Sequence, residues 1–351
     1  MKCGIIGCGV IAATHAAGYR QIPSTELISC CDLIPERAAE LAEKFGIPRV
    51  YTDYREMLAD PELDAVSICT DHASHAEIFC AALDAGKHAI CEKVPGRVPE
   101  DLEKMLKTAA AHPELAASGI FQHRFNPGNI ALREVIRQGK LGKLLLVNLN
   151  FCCLRTNEYY EHDAWRGTIA GEGGGVLINQ AIHFLDQLRF LFGEVERVAA
   201  RRANRDHQGV IETEDTAAFV AEFSGGLFVT VGATNAAAAP WRSSLTVTGT
   251  EAQLEFIDET LTHVESRAPE VADQLRECLN AADRKGEVLG KSYYGTGHTA
   301  QLADFLAAIA EKRPPAVTLD DAANSAALVH AVYAAAASGT WQIPANYRGM
   351  R

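Results

Sequence analysis

The sequence predicts an α/β fold: an N-terminal domain with a doubly wound parallel sheet, then a C-terminal α+β domain with an open, mostly antiparallel sheet. Up to about residue 122, short apolar runs alternate with helix-like segments, which is typical of a parallel sheet. Beyond that point apolar runs follow one another with turn residues between them, as antiparallel strands do. A chain of 351 residues is long enough for two cores. We therefore predict domains at 1–122 and 123–351.

The elements of the first domain are predicted from its apolar runs and from the residues that end its helices. A strand at 2–6 runs into a glycine-rich turn, a helix-like run follows, and a second strand at 27–31 ends on Asp32. Glycines such as Gly46 and Gly86 close two of the later helices. The remaining predicted helices are 35–45, 53–59, 75–85 and 99–111, and the remaining strands are 65–69, 88–91 and 116–121.

The turn after the first strand has the order of parts that holds a dinucleotide. Gly7 permits a tight turn, Gly9 lets the backbone approach a pyrophosphate, and Ala12 takes the third small position. The helix N-terminus then offers free N–H groups to the phosphates. Asp32 is placed to accept hydrogen bonds from a ribose diol and would repel a 2′-phosphate, which favours NAD over NADP. The alternative is an ordinary α/β turn, because glycine pairs also mark plain turns.

The second domain is predicted from consecutive apolar runs with turn signals between them. Its strands are predicted at 144–151, 195–203, 215–223, 227–234, 245–249 and 252–256, with helices at 129–138 and 322–337. The alanine run at 236–239 is interpreted as a loop or a strand edge. An open sheet with helices on one face leaves the other face uncovered, so we expect an oligomer.

Composition excludes several classes of partner. The formal net charge of −12 argues against nucleic acid or an anionic membrane surface as a partner. No apolar run reaches the roughly twenty residues that a spanning helix needs, and the first strand begins at the N-terminus, so no signal peptide is expected. The ten cysteines contain no C-x-x-C, and several lie in strand-like runs, which favours a reduced, cytoplasmic protein.

A lysine is predicted to face the same crevice as the glycine-rich turn. Ligands of open α/β sheets lie beyond the carboxyl ends of the strands, where Thr70 and the pair Glu92 and Lys93 are expected. The ammonium group of Lys93 could donate a hydrogen bond to a substrate oxygen, or lose its proton if its pKa is lowered. The alternative is an ordinary solvated lysine after a strand.

A glycine run, residues 171–175 around Glu172, precedes a helix predicted at 176–192. Asn179 and His183 are four residues apart and should share a face of that helix. The glycines would let a ligand approach the start of the helix closely. The alternative is that Asn179 and His183 are satisfied polar groups near the core.

Together these motifs resemble the Gfo/Idh/MocA oxidoreductase family. The resemblance rests on Gly7-Cys8-Gly9-Val10-Ile11-Ala12, Glu92-Lys93, and Gly173-Gly174-Gly175-x-x-x-Asn179-x-x-x-His183. It extends to Ala85-Gly86-Lys87-His88, His123-Arg124-Phe125-Asn126-Pro127, Trp165-Arg166-Gly167 and Tyr293-Tyr294-Gly295-x-Gly297-His298. The family implies a Rossmann domain, a C-terminal α/β domain whose sheet forms dimers or tetramers, and hydride transfer between NAD(P) and a hydroxyl carbon of a sugar, cyclitol or related polyol.

The resemblance also implies roles for individual residues. Lys93 corresponds to the lysine that contacts substrate, His183 to the catalytic acid/base, and Asn179 to a position where many members have Asp. The residues predicted to bind the cofactor are Gly7, Gly9, Val10, Ile11, Asp32, Arg37, Thr70, His75, Glu92, Lys93, Gln122, Trp165 and Arg166. The residues predicted to bind substrate are Arg124, Tyr160, His162, Asn179, His183 and Tyr294, and no metal site is expected.

Three hypotheses about function follow. The first is an NAD-dependent sugar or polyol dehydrogenase, in which the substrate hydroxyl lies between His183 and Lys93. The second is an NAD-using glycoside hydrolase or lyase that oxidises its substrate transiently. The third is a dinucleotide-sensing regulatory protein without catalysis, against which the presence of both Lys93 and His183 argues.

Overall fold

The computed structural model of the chain describes residues 1–283 and 297–349, which form two compact units. The first unit contains residues 1–122, 297–326 and 347–349, and the second contains residues 123–283 and 327–346. This division differs from the predicted limits of the second domain, 123–351. The C-terminal segment 297–326 lies with the first unit because Leu302, Phe305 and Leu306 belong to its apolar core.

The first unit is a doubly wound parallel sheet, as predicted. Its strands lie in the order β3-β2-β1-β4-β5-β6, and every neighbouring pair is parallel. The strands are β1 (Lys2–Ile6), β2 (Glu26–Cys31), β3 (Arg49–Tyr51), β4 (Ala65–Ile68), β5 (His88–Cys91) and β6 (Ala117–Gly119). The helices are α1 (Ala12–Gln21), α2 (Pro35–Phe45), α3 (Tyr54–Leu58), α4 (His75–Asp84) and α5 (Pro99–Ala111), and a 3₁₀ turn spans Gln122–Phe125.

Local sequence explains where the best-predicted helices begin and end. Pro35 is the first helical residue of α2, where its missing N–H costs nothing, and Gly46 ends the helix with a left-handed φ of 60°. Pro99 begins α5 in the same way. The strand predicted at 116–121 is shorter in the structure, because the chain turns into the 3₁₀ turn after β6.

The second unit is built on a seven-stranded sheet in the order β13-β12-β11-β7-β10-β9-β8. Only β7 and β10 pair in parallel, so the predicted open, mostly antiparallel sheet is confirmed. The strands are β7 (Leu144–Leu154), β8 (Val195–Ala203), β9 (Thr216–Phe223), β10 (Leu227–Thr234), β11 (Ala236–Gly249), β12 (Ala252–Ile257) and β13 (Thr260–Ser266). The helices are α6 (Pro127–Arg137), α7 (Asn157–Glu161), α8 (Ile182–Phe192), α9 (Pro269–Asp283), α10 (Gly297–Glu311) and α11 (Leu319–Ser338), of which α10 belongs to the first unit and α11 contributes to both.

Two parts of the second unit depart from the apolar pattern. The alanine run at 236–239 is the first part of β11 rather than a loop. β13 has mostly exposed side chains, as an edge strand does, and therefore lacks the alternation that would predict it.

The sheet places Leu146, Val220 and Phe228 on one face, with their side chains exposed. Among the residues described, no helix is long and apolar enough to cross a bilayer.

Candidate active site

The glycine-rich turn lies at the point in the first sheet where the strand order reverses, between the carboxyl ends of β1 and β4. Gly7 has a φ of 88°, and a Cβ at this position would lie 2.7 Å from the carbonyl carbon of Cys69, so only glycine fits. A Cβ at Gly9 would meet no described atom within 4 Å. Val10 and Ile11 follow, with Val10 exposed, and α1 begins at Ala12. This open space at the start of a helix fits a pyrophosphate.

Asp32 follows β2, and its side chain links the glycine-rich turn to the residues just before α2. Its carboxylate accepts hydrogen bonds from the backbone N–H of Cys8 (2.7 Å) and of Ile34 (2.9 Å). Each carboxylate oxygen can accept more than one hydrogen bond, so Asp32 keeps the capacity to accept from a ribose diol. Arg37, also predicted to bind the cofactor, is exposed on α2.

The loop after β4 is ordered by its own side chains. The Ser74 hydroxyl donates to Oγ1 of Thr70 at 2.8 Å. His75 is fully buried, with Nδ1 2.8 Å from the carbonyl oxygen of Val94 and Nε2 3.1 Å from that of Thr70. Burial lowers the pKa of His75, and a neutral ring can donate to only one of these two oxygens. The His75 ring therefore supports the backbone of the Lys93 loop, and its contact with the cofactor stays a prediction.

Glu92 and Lys93 follow β5, but the two side chains have different surroundings. Glu92 is buried, and its Oε1 lies 2.9 Å from Nε2 of His15. Burial acts to raise the pKa of Glu92, but the hydrogen bond and charge of His15, with His298 and Lys93, lower it to about 2. Glu92, predicted to bind the cofactor, is thus turned into the core of the first unit. Lys93 is partly exposed, and its peptide bond to Val94 is cis.

The glycine run of the second unit is explained by close packing. A Cβ at Gly174 would lie 2.1 Å from the Tyr333 hydroxyl, and a Cβ at Gly175 would lie 1.7 Å from the carbonyl oxygen of Glu214. The Glu214 carboxylate accepts from the backbone N–H of Gly175 (3.1 Å) and of Leu177 (3.2 Å), and from the Tyr333 hydroxyl (2.9 Å). The glycines are therefore required by protein groups, and the interpretation that they admit a ligand is not supported.

The helix predicted at 176–192 begins as a π-helical turn, Leu177–Ala181, before α8. Such wide turns occur often at functional sites. Asn179 lies in this turn, and its side-chain amide donates a hydrogen bond to the buried carboxylate of Glu172. His183 lies at the start of α8 and is partly exposed. Its ring stacks on that of His123, with ring centroids 5.2 Å apart and planes 13° apart.

Two residues predicted to contact substrate are held inside the second unit. Arg124 makes a bidentate ion pair with Asp186, with Nε 2.8 Å from Oδ2 and Nη2 2.6 Å from Oδ1, and Asp186 is fully buried. The Tyr160 hydroxyl accepts a hydrogen bond from the Asn235 amide at 2.8 Å, and its ring packs edge-on against His207. The contacts in the structure give both residues a structural role, because their partners lie in the interior.

The other predicted residues have varied surroundings. The guanidinium of Arg166 lies 4.5 Å from the Trp165 ring centroid and 4.5 Å from that of Tyr159, and Nε donates to Asp163 at 3.0 Å. Trp165 and Arg166 thus form one partly exposed cluster, while His162 is exposed. Gln122 is buried. Tyr294 lies outside the described residues.

Sequence reasoning missed three residues around His183 and Asn179: Glu172 contacts Asn179, His123 contacts His183, and Glu259 contacts His123. Glu172 was noticed only as part of the glycine run, and His123 only within a motif. Glu259 gave no signal, because it reaches His123 from the turn between β12 and β13. Within the described ranges, no group of three or more His, Cys, Asp or Glu side chains is arranged to hold a metal ion.

Comparisons with known proteins agree with this geometry. Residues 1–119 match the family profile described as the oxidoreductase family, NAD-binding Rossmann fold, and residues 133–344 match that of the same family's C-terminal alpha/beta domain. The myo-inositol 2-dehydrogenase of Thermotoga maritima is 26% identical over 337 residues, 92% of each chain. The D-glucoside 3-dehydrogenase of Escherichia coli is 34% identical over 197 residues, 55% of this chain and 54% of that protein.

Among solved structures, the WlbA dehydrogenase from Bordetella pertussis, in complex with NADH and UDP-GlcNAcA, is 26% identical with a TM-score of 0.87. The match covers 98% of this chain and 97% of that one. The two profiles together span most of the sequence. The chain therefore belongs to the Gfo/Idh/MocA oxidoreductase family and is an NAD-dependent oxidoreductase.

Proposed function

We propose that this protein transfers a hydride between NAD and a hydroxyl carbon of a sugar, cyclitol or related polyol. The observation that carries the proposal is the partly exposed imidazole of His183, stacked on His123 at the start of α8. An imidazole titrates near neutral pH and can therefore take up a hydroxyl proton. The dehydrogenases named for myo-inositol and for a D-glucoside support this class of substrate.

The proposed roles follow from each residue's chemistry. Gly7, Gly9 and the start of α1 would hold the pyrophosphate of NAD, and Asp32 its ribose. Bound NAD supplies the hydride acceptor, or the donor in the reverse direction. His183 takes up the hydroxyl proton at an imidazole nitrogen, and Lys93 donates a charge-assisted hydrogen bond to the same substrate oxygen as its negative charge develops.

Asn179 is proposed to position the site rather than to exchange protons. A side-chain amide cannot take up a proton at neutral pH, unlike the Asp that many relatives of this motif have. Its hydrogen bond to Glu172 fixes the orientation of the amide in the π-helical turn. The acid/base role then falls to His183, with Lys93 as its electrostatic support.

The experiment is a panel of sugars and cyclitols assayed for NADH formation at its absorbance band. We expect NADH to form with at least one member, and H183N and K93M to reduce kcat/KM by at least about 100-fold. H263N, which changes an exposed imidazole on β13, serves as the control. Turnover without net NADH formation would overturn this proposal in favour of a hydrolase or lyase that oxidises transiently. NAD binding without any turnover, unchanged by H183N and K93M, would indicate a regulatory protein.

We further propose a cytoplasmic homodimer or homotetramer that associates through the exposed face of the second sheet. Leu146 and Phe228 are paired in register on β7 and β10 with their side chains exposed, and Val220 lies on the same face. Covering such apolar side chains favours association. The ten thiols are all free, as the reducing cytoplasm would keep them. Light scattering should show an oligomer for the natural chain and a smaller species for F228E, and a monomeric natural chain would exclude the proposal.

A further inference from the structure

In the second unit, the carboxylate of Glu259 contacts the imidazole of His123, and the imidazole of His123 stacks on that of His183. We propose that the Glu259–His123 pair places positive charge against the face of the His183 ring and so keeps His183 in the neutral form that can accept a proton. Glu259 and His123 are then positioning residues, since neither is assigned contact with substrate. The inference rests on the proposed function in taking His183 as the base.

Glu259 is held in place by an unusual turn and by several polar contacts. It follows Asp258 between β12 and β13, and both residues have positive φ, 49° and 64°, a conformation that non-glycine residues seldom adopt. The Glu259 carboxylate accepts hydrogen bonds from the side-chain amides of Asn129 (2.8 Å), Asn126 (3.2 Å) and Gln187 (3.3 Å). These contacts come from α6, α8 and the residue before α6, and they aim the carboxylate inward although its turn joins β12 to the edge strand β13.

His123 is the group on which this carboxylate acts. Its side chain is buried, and its Nδ1 lies 3.2 Å from Oε1 of Glu259. Burial acts to lower the pKa of His123, but the charge of the nearby Glu259 carboxylate and the charge of Asp186 raise it above its usual value. The charge of Asp186 is itself shared with Arg124 and, at 4.0 Å, with Arg189. Glu259 is therefore the carboxylate that contributes most to raising the pKa of His123.

The stacked geometry transmits this charge to His183. The two rings are nearly parallel with centroids 5.2 Å apart, so protonating both would bring two positive charges within that distance. At an effective dielectric constant of 20 to 40, repulsion at this distance lowers the protonation midpoint of the second ring by roughly 1 to 2 pH units. An imidazolium at His123 therefore favours a neutral His183 near pH 7.

The test substitutes the carboxylate and follows both rings by NMR. Glu259→Gln keeps the shape and a hydrogen-bond acceptor but removes the charge. We expect the ring of His123 to titrate at lower pH in this variant and the ring of His183 to titrate at higher pH, by less than about 1 to 2 pH units, because loss of the Glu259 charge itself acts in the opposite direction. The rings are assigned with His123→Gln and His183→Gln. The acid limb of the pH profile of kcat/KM should move upward by the same amount.

A matched control is available on β13. Glu265 and His263 form a similar pair, with Nε2 of His263 3.1 Å from Oε1 of Glu265. Both side chains are exposed, and neither belongs to the stack of His123 on His183. Glu265→Gln should leave the titration of His183 and the pH profile unchanged. If Glu259→Gln does not fold, His123→Phe keeps a stacked ring without a charge and should raise the midpoint of His183 in the same direction.

An unchanged midpoint of His183 in either folded variant, or a shift to lower pH, overturns the inference. This result is distinguishable from failure of the proposed function. If His183→Asn retained full hydride transfer, the proposed base would be wrong, whereas the NMR titration measures the coupling of the rings without any substrate. A loss of kcat in Glu259→Gln with the midpoint of His183 in its original place would indicate a purely structural role and would overturn the inference as well.

Discussion

The side-chain amide of Asn179 donates a hydrogen bond to the carboxylate of Glu172, which is buried and also accepts from the backbone N–H of Gly167. This contact explains how the chain accommodates Asn where the resemblance to the family leads one to expect Asp. A carboxylate at position 179 would face another carboxylate across a hydrogen-bond distance, and two neighbouring buried carboxylates cannot both ionise at low cost.

N179D is therefore expected to destabilise the protein in a pH-dependent way. The free energy of unfolding should fall by about 1 to 3 kcal/mol at pH 8 and by less at pH 5, where one of the two carboxyl groups can keep its proton. Urea unfolding at both pH values measures this. N280D, which changes an exposed Asn on α9, is the control. An equal loss at pH 5 and pH 8 would contradict the explanation.

Arg124 is expected to matter for stability more than for substrate affinity. R124M removes the bidentate partner of the fully buried Asp186 carboxylate, so the free energy of unfolding should drop by about 3 kcal/mol. Chemical denaturation measures this, and R124M combined with D186N should recover part of the loss. R137M, which breaks the exposed ion pair with Glu134, should cost much less stability, because solvent screens both charges. Unchanged stability with a raised KM would instead favour the substrate contact predicted from sequence.

How far sequence could predict this molecule depends on whether the deciding contacts are local. The limits of α2 and the turn at Gly7 depend on nearby residues, Pro35, Gly46 and the strand before the turn, and the sequence predicted them. The orientation of Glu92 depends on His15, 77 residues away, and that of Arg124 on Asp186, 62 residues away. Such partners leave no periodic signal, so both side chains were predicted to face ligands although they turn inward.

The same limit applies to the site around His183. Its four-residue spacing from Asn179 was visible, but the π-helical turn and the stacking on His123 were not. Glu259 approaches from the turn that joins β12 to the edge strand β13, and its positive φ is atypical for Glu. When the role of a residue depends on an unfavourable backbone conformation, local sequence preference predicts a different conformation and the role is missed.

The open space at Gly9 predicts separate effects on folding and on NAD binding. A Cβ at position 9 meets no described atom, so G9A should fold with nearly unchanged stability. The added methyl group would occupy the space proposed for the pyrophosphate, and we expect NADH affinity to fall at least about tenfold. Calorimetric titration with NADH measures this. G7A is the contrasting variant, because its φ of 88° and its contact with Cys69 should cost stability first. Unchanged NADH affinity in G9A would exclude the proposed position of the pyrophosphate beside Gly9.

Asp32 predicts which dinucleotide binds better. The natural chain should bind NADH at least about tenfold more tightly than NADPH, because a carboxylate at this position repels the 2′-phosphate. D32S should bring the two affinities together, through a loss for NADH and a gain for NADPH. The comparison uses the ratio of the two affinities, since Asp32 also holds the backbone of Cys8 and Ile34 and its loss disturbs the turn for both ligands. A ratio that D32S leaves unchanged would contradict this role.

The buried pair of Glu92 and His15 predicts how stability depends on pH. The pKa of Glu92 is depressed to about 2 in the folded protein, so its contribution to stability is present above the unfolded value near 4.5 and is lost as pH falls toward 2. From this shift we expect a contribution of about 3 kcal/mol at pH 6. E92Q should therefore unfold more easily at pH 6 and show a weaker loss of stability between pH 5 and pH 3, measured by urea denaturation. E134Q, at an exposed carboxylate whose pKa is also lowered to about 2, should change the profile little, because solvent screens its charge. Parallel pH profiles for E92Q and the natural chain would show that the buried Glu92 carboxylate does not stabilise the fold.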